Sequence, residues 1–452
     1  MAFKDDRLPF LLESSLNVDG MGRYSFLGSE PFLVLSVKNG RCFIEQEGEQ
    51  RVVEGSCLGI LRGLLKKYEL KGENRSLVPF LCGAVGFFSY DFGFSLESIK
   101  RKNIPLPVVP EVLFGFYDTA VCLDHQNKEV TIFSSGFPQE DRRRMSRAQE
   151  RLKVVLGKFK NPKRKETTAV KPRSFIKPTD LSSNFTKKNY LSVLRTAKEY
   201  IACGDIYQVN LSQRFEARLS FLDDWLLYQR LIKNFPVSFS AFFKTGDFSI
   251  ISASPEKFLT FDGHLVATRP MKGTRRRTKS AALNERLRDE LTCDEKEKAE
   301  LLMIVDLERN DLGRVCAYDS IRVKDLRKIE AYSNVFQATA EIEGTLHKTK
   351  DRLDLIRACF PGGSVTGCPK IRAMEVIEEL EPTARGIYTG SLGYLSFHNT
   401  LAFNVLIRSF LKKKDEVFFH AGGGIVTDSR PAFEYEETLV KAKALVDTLT
   451  GE

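Results

Sequence analysis

At 452 residues the chain is too long for one ordinary core and predicts two lobes or one large composite sandwich. Its 42% hydrophobic and 28% charged residues exclude a disordered or fibrous protein. Lys and Arg outnumber Asp and Glu by 69 to 59, and the net charge of +10 favours an anionic partner without choosing among nucleic acid, acidic membrane and a small polycarboxylate.

The first residues, MAFKDDRLPFLLESS, place two acids before any apolar run, unlike a secretory signal. Strand-like runs follow at Pro31 to Val37, Arg41 to Glu45, Val112 to Leu123 and Glu129 to Phe133. Between them, the apolar stretch Leu77 to Tyr90 carries Pro79, Gly83 and Gly86 and falls short of the ~20 residues a membrane span needs. A basic helix is expected from about Gln139, and residues 157–180, rich in Lys, Pro and Thr, read as a linker between an N-terminal region, 1–156, and a catalytic region, 181–452. Thr186 is placed to cap a helix that runs to Cys203 and stops at Gly204. Thereafter strands (Val209 to Phe215, Phe239 to Phe243, His264 to Arg269, Leu401 to Ser409, Glu416 to His420) alternate with helices over Glu295 to Asp306, Ile371 to Leu380 and Pro431 to Leu449. The reading is an α+β composite sandwich with helices outside the sheets. Nine scattered cysteines without a C-x-x-C pair suggest neither a disulfide framework nor a thiolate zinc site and fit a cytoplasmic protein.

Several residues are candidates for chemistry. Glu297 and Glu300 lie three apart on one helix, and Glu434 and Glu437 three apart on another. A capping box from Asp294 to Glu297 and a surface pair of Glu437 with Lys441 explain them blandly. If the helices converge, the four carboxylates require a hard divalent cation such as Mg2+. Lys272 ends a strand and is crowded in sequence by Arg269, Arg275 and Arg276, a setting that favours the neutral, nucleophilic amine; alone it reads as a solvated loop lysine. The turns FPGGSVTGCPK and AGGGIV permit close approach to a ligand or are plain turns. No histidine spacing suits a metal, and the run Arg275, Arg276, Arg277, Lys279 lacks the interleaved aromatics of a nucleic-acid site.

Together, GDIYQVNLSQRF, SASPE, RPMKGTRRR, ELLMIVDLERNDLGRV, PGGSVTGCPKIRAMEVIEELEP, RGIYTGSLGY, NVLIRS and AGGGIVTDSRPAFEYEETLVKA resemble the chorismate-utilising family. That family includes anthranilate synthase component I, aminodeoxychorismate synthase component I and the isochorismate synthases. PFLLESS, GRYSFLG and GAVGFFSYD extend the likeness more weakly toward the N-terminus.

The resemblance implies an anthranilate synthase component I-like fold and a Mg2+ held by Glu300 and Glu437, with Glu297 and Glu434 in support. It implies substrate contacts at Gly273, Thr274, Ser364, Tyr388, Arg408, Gly424 and Lys441, with Lys272 as nucleophile and Glu256 as general acid. It also implies a tryptophan-binding segment near Glu13, Ser14 and Tyr24. Gln208 stands where the isochorismate synthases place a lysine base, and Lys272 where anthranilate synthases usually have alanine, so amination of chorismate to 4-amino-4-deoxychorismate is expected. Gln337, where the family generally has histidine, agrees with retention of the enolpyruvyl group. Anthranilate synthase is the alternative, and a basic nucleic-acid-binding protein a remote one. No cysteine lies in a G-x-C-x-G turn, so a separate glutamine amidotransferase subunit is expected to supply ammonia and a downstream lyase to remove pyruvate.

Overall fold

A computed structural model describes residues 3–16, 22–71, 78–103, 109–160, 175–219, 222–332 and 335–451. Most of the expected linker therefore lies outside the described residues. Two antiparallel sheets make up the centre, of eleven and twelve strands among the described residues. The first runs from Ser182–Ser183 through Gln208–Arg218, Glu416–Ile425, Ser409–Lys413, Ser249–Ser254, Phe239–Lys244, Phe10–Glu13, Tyr24–Gly28 and Thr119–Asp124 to Glu129–Ser134. The second begins at Met271–Arg276 and Val335–Thr345, passes through Leu265–Arg269, Lys257–Phe261, Leu401–Asn404, Ser391–Ser396, Gly83–Phe88, Val112–Tyr117 and Leu33–Lys38, and ends at Arg41–Gln46 and Glu49–Val53. Both sheets take strands from either side of residues 157–180, as where Phe10 faces Phe243 and Gly86 faces Gly393.

The sheets bury their facing sides against each other. Phe10, Phe26 and Ile250 of the first meet Val85, Phe87, Leu113 and Tyr394 of the second in one cluster. Helices cover the outer faces. Leu61, Leu65, Leu301, Val305, Leu353 and Ile356 close the second sheet, and Leu227, Leu231, Ala442 and Leu445 the first. Each such side chain, fully buried, contributes about 1.5–3 kcal/mol, so the layers are held mainly by apolar area.

Two strands read as continuous are broken where the chain crosses between sheets. Val112 to Leu123 divides at Asp118 into Val112–Tyr117 in the second sheet and Thr119–Asp124 in the first. Asp118 is fully buried at the crossing and held by Arg147 at 3.2 Å and Arg151 at 3.1 Å from helix Asp141–Lys160. The run from Leu401 divides into Leu401–Asn404 and Ser409–Lys413, with Arg408 at φ 49 between them. Apolar character continues across both breaks, so hydrophobic pattern alone does not reveal them. The Thr186 cap is present, its hydroxyl accepting from Asn189 N–H at 3.2 Å, and the helix ends at Ala202. Helix Glu295–Gly313 outruns the expected end at Asp306 because its last two turns bury Glu308 and Asp311, charged residues that interrupt the apolar pattern.

Candidate active site

The cleft forms where an end of each sheet meets the other. Lys272 comes from Met271–Arg276, whose register against Val335–Thr345 is irregular between Lys272 and Thr274. Gly273, at φ +77, sits in that irregularity, and a Cβ there would lie 2.2 Å from Glu297 Oε2, so only glycine fits. From the first sheet, Gly424 of Glu416–Ile425 supplies bare backbone. A Cβ at Gly424 would lie 3.1 Å from Gln208 Nε2 and 3.3 Å from Lys272 Nζ. The missing side chain is what lets a lysine of one sheet reach the main chain of the other.

Glu256, 4% exposed, accepts a hydrogen bond from Ser364 Oγ at 2.5 Å. Burial pushes its carboxyl up to about 7 against the pull of Ser364, Lys272 and Arg408, so it holds a proton near neutrality. Burial pushes the Lys272 ammonium below the ordinary lysine range; Glu300 opposes the shift, Lys441 adds to it, and Glu256 and Glu437 oppose it further. The expected crowding by arginines is corrected here. Arg269 is bound to Glu330, Arg275 to Asp294 and Glu297 at 2.8 Å each, and Arg276 is exposed, so burial and Lys441 do the work assigned to them. Arg408 is lowered by burial, with Tyr332 and Glu256 opposing. Tyr388 stacks on His420 with ring centroids 4.8 Å apart, and burial raises the phenol and keeps the imidazole neutral. Both amide atoms of Gln208 are buried without a hydrogen-bond partner, as is Gln337 Oε1.

The two carboxylate-bearing helices converge. Lys296 bridges them, 3.8 Å from Glu300 and 3.9 Å from Glu434. Glu437 pairs with Lys441 at 2.6 Å, as the bland reading expects, and Lys441 also donates to Gly422 O at 3.1 Å. A Cβ at Gly423 would meet Glu434, Glu437 and Lys441 within 3.8 Å, so these side chains lie over the strand that carries Gly424. Burial raises Glu300, with Lys272 and Lys296 opposing and Glu434 and Glu437 adding. Burial also pulls on Glu437, but Lys441, Lys272 and Lys296 hold it below the ordinary range. Asp294 caps its helix by accepting from Glu297 N–H at 3.0 Å, but the Glu297 carboxylate turns to Arg275, so half of the expected capping box is formed. Glu297 Oε2 is buried and unpartnered.

Among the described residues no group of three His, Cys, Asp or Glu side chains is arranged to hold a metal ion. A Mg2+ bound by one or two carboxylates with water and substrate oxygens needs no such group. The orphaned Glu297 oxygen and the mutual repulsion of Glu300, Glu434 and Glu437 suit that cation.

The geometry thus joins Lys272, Glu256, Gly273, Ser364, Tyr388, Arg408, Gly424, Lys441 and the four glutamates in one cleft. Thr274 is exposed and faces Gln337 across the strand pair. Glu13, Ser14 and Tyr24 group elsewhere, in the first sheet: Glu13 accepts from Tyr228 OH, Ser14 Oγ donates to Ser238 O at 3.0 Å, and Tyr24 stacks on Phe26. Two residues escaped sequence reasoning. His420 carried no spacing signal, whereas Glu308 was legible as the continuation of the Glu297 and Glu300 face two turns on.

A two-sheet sandwich with a lysine, a protonated glutamate and paired helix glutamates at its junction defines a class of enzymes acting on a small anionic ring. The chain belongs to that family: residues 15–447 match the chorismate binding enzymes. It is 37% identical over 437 residues to aminodeoxychorismate synthase component 1 of Bacillus subtilis (strain 168), covering 96% of this chain and 90% of that protein. It is 36% identical over 453 residues to anthranilate synthase component 1 of Acetivibrio thermocellus, covering 99% and 91%. Anthranilate synthase component I from Streptococcus pneumoniae TIGR4 has the same fold, with a TM-score of 0.82 at 30% identity over 95% of this chain and 93% of that one. The protein is a chorismate-utilising enzyme of anthranilate synthase component I-like α+β fold. No helix among the described residues is long and apolar enough to cross a membrane.

Proposed function

We propose that the chain aminates chorismate at C4 to give 4-amino-4-deoxychorismate, with ammonia delivered by a glutamine amidotransferase subunit, in the cytoplasm and on the route to para-aminobenzoate and folate. The observation that carries this reading is the placement of Lys272 Nζ against the bare backbone of Gly424, in an environment that depresses its pKa. A neutral amine there attacks ring C2 as the double bond shifts and the C4–O bond breaks. Glu256 gives its proton to the departing hydroxyl, which leaves as water. Ammonia then bonds to C4, the double bond returns, and Lys272 is expelled from C2 as the free amine, regenerating the site. Arg408 and Lys441 offer cationic partners to the two carboxylates of chorismate. Tyr388, backed by neutral His420, and Ser364 shape the ring pocket.

Glu300 and Glu437 would hold Mg2+, with Glu297 and Glu434 supporting. When bound, that ion neutralises and orients the ring carboxylate. For Glu300 and Glu437 to serve, Lys296 and Lys441 must release them, and substrate carboxylates are natural acceptors for the freed ammonium groups. Glu13, Ser14 and Tyr24 are read as a tryptophan site, and titration calorimetry without heat at millimolar tryptophan would remove that assignment. The similarity to an anthranilate synthase component 1, almost equal in identity, supports a second reading in which the product is anthranilate and the side chain leaves as pyruvate.

The test is mass-resolved product analysis with chorismate, Mg2+ and ammonium. Aminodeoxychorismate without pyruvate is expected, and anthranilate with pyruvate assigns the second reading.

A further inference from the structure

Glu308 is the buried carboxyl that the chemistry above leaves without a task. Helix Glu295–Gly313 turns Leu301, Ile304, Val305, Glu308, Asp311 and Leu312 inward. Asp311 meets Lys370 at 2.6 Å, and Lys370 also donates to Cys359 O at 2.8 Å. Glu308, one turn earlier, accepts instead from a neutral hydroxyl, Thr268 Oγ1, at 2.8 Å.

That carboxyl lies beside the general acid. A Cβ at Gly363 would fall 3.4 Å from Glu308 Cγ and 2.9 Å from Leu307 Cδ2, so the turn carrying Ser364 rests on Glu308. Ser364 in turn donates to Glu256 at 2.5 Å. Thr268 belongs to the strand that pairs with Lys257–Phe261, the segment directly after Glu256, with Lys257 opposite Arg269. Glu256 and Glu308 are 4% and 7% exposed, two acids in one dry compartment.

We infer that Glu308 is a positioning residue for Glu256: the two carboxyl groups form a dyad that holds a proton in common, so Glu256 remains able to donate at pH values where a lone carboxyl would be ionised. The inference rests on the reading of Glu256 as general acid, and it holds for either product. Like charges in a low-dielectric site cannot both form cheaply, and such pairs titrate as a unit. Burial raises Glu256 to about 7 and Glu308 to about 8, with Glu256 itself adding to the Glu308 shift. The groups facing Glu256 are Ser364, Lys272, Arg408 and Tyr388; those facing Glu308 are Thr268, Asp311, Lys370 and the Cys359 thiol. Asp311 strengthens proton retention on Glu308, and Thr268 and Lys370 weaken it. When Glu256 protonates the leaving hydroxyl, its new carboxylate faces a neutral Glu308 and not a second anion.

The test is the pH profile of chorismate consumption by wild type and Glu308→Gln at constant free ammonia. The alkaline limb of kcat/KM should move to lower pH in the variant, with near wild-type rate at pH 6 and about a tenfold loss at pH 8 for each pH unit of movement. A loss by one factor at every pH would mark a merely structural residue and overturn the dyad. Infrared titration of the wild type reads the pair without a variant: two buried carboxyls should deprotonate above pH 6, and finding one overturns the proposal. Wild-type protein that consumes no chorismate would overturn the reading of the cleft itself; consumption with an unmoved limb would overturn the dyad alone.

Discussion

The buried charges around Arg385 and those around Lys272 obey opposite rules. Arg385 and Glu381, 3% and 4% exposed, meet twice, at 2.8 and 3.0 Å. Glu381 also accepts from the N–H and hydroxyl of Ser212, while Arg385 reaches the carbonyls of Val365 and Asn210. In the cleft, by contrast, the Gln208 amide and Glu297 Oε2 are buried without partners, and Glu256 keeps a proton rather than a counter-ion. An unsatisfied buried group costs roughly 1–3 kcal/mol, which a fold tolerates chiefly where a ligand completes the bonds. Satisfied charge marks scaffold, and unsatisfied charge marks the place where substrate is to be received.

The sharpest break of that contrast is Lys272→Ala. It should abolish any covalent adduct and lower kcat by about a thousandfold or more, as loss of a nucleophile does, while leaving the melting temperature unchanged or raised, since a buried amine is removed. Mass spectrometry of the quenched enzyme checks the adduct, and a variant that forms it at the wild-type rate removes Lys272 from this role. Glu381→Gln should do the reverse. Leaving Arg385 buried and uncompensated costs about 3–5 kcal/mol, read as a lower denaturant midpoint, whereas the identity of the product should not change. Smaller again is Gly424→Ala. Its methyl would press on Gln208 and Lys272 at 3.1 and 3.3 Å, so kcat/KM should fall by about tenfold, roughly 1.4 kcal/mol, with stability nearly constant. Equal kinetics in that variant would mean that Lys272 does not work from the position seen.

Much of this contrast was legible in the sequence, and the rest was hidden for identifiable reasons. The glutamates at 297, 300, 434 and 437 were visible as pairs on helix faces, and the structure brings their helices together through Lys296. Lys272 was visible through its motif, but not the cause of its depressed pKa, because the sequence neighbours Arg269 and Arg275 are tied to acids distant in the chain. The sheet crossings at Asp118 and Arg408 were invisible, since the chain stays apolar through a crossing and only the partner strands change. Glu308 was passed over because a carboxylate in an apolar helix looks like an interruption until the packing encloses it.

The gentlest probe of the contrast is stability against pH. Burial places Glu256 and Glu308 near 7 and 8, above the roughly 4.3 of an unfolded glutamate. The folded form therefore binds more protons than the unfolded form through this window. Their contribution to stability is complete below about pH 4 and is lost as pH rises through 7 and then 8. Glu308→Gln removes one of the two groups, so the variant should lose stability less steeply than wild type. The difference in slope should approach, but not exceed, about 1.4 kcal/mol per pH unit, measured by chemical denaturation at matched ionic strength. Scaffold pairs such as Arg385 and Glu381 are present in both proteins and cancel in the comparison. Parallel curves would mean that Glu308 ionises as an ordinary carboxylate, and the compartment it shares with Glu256 would then have to admit water.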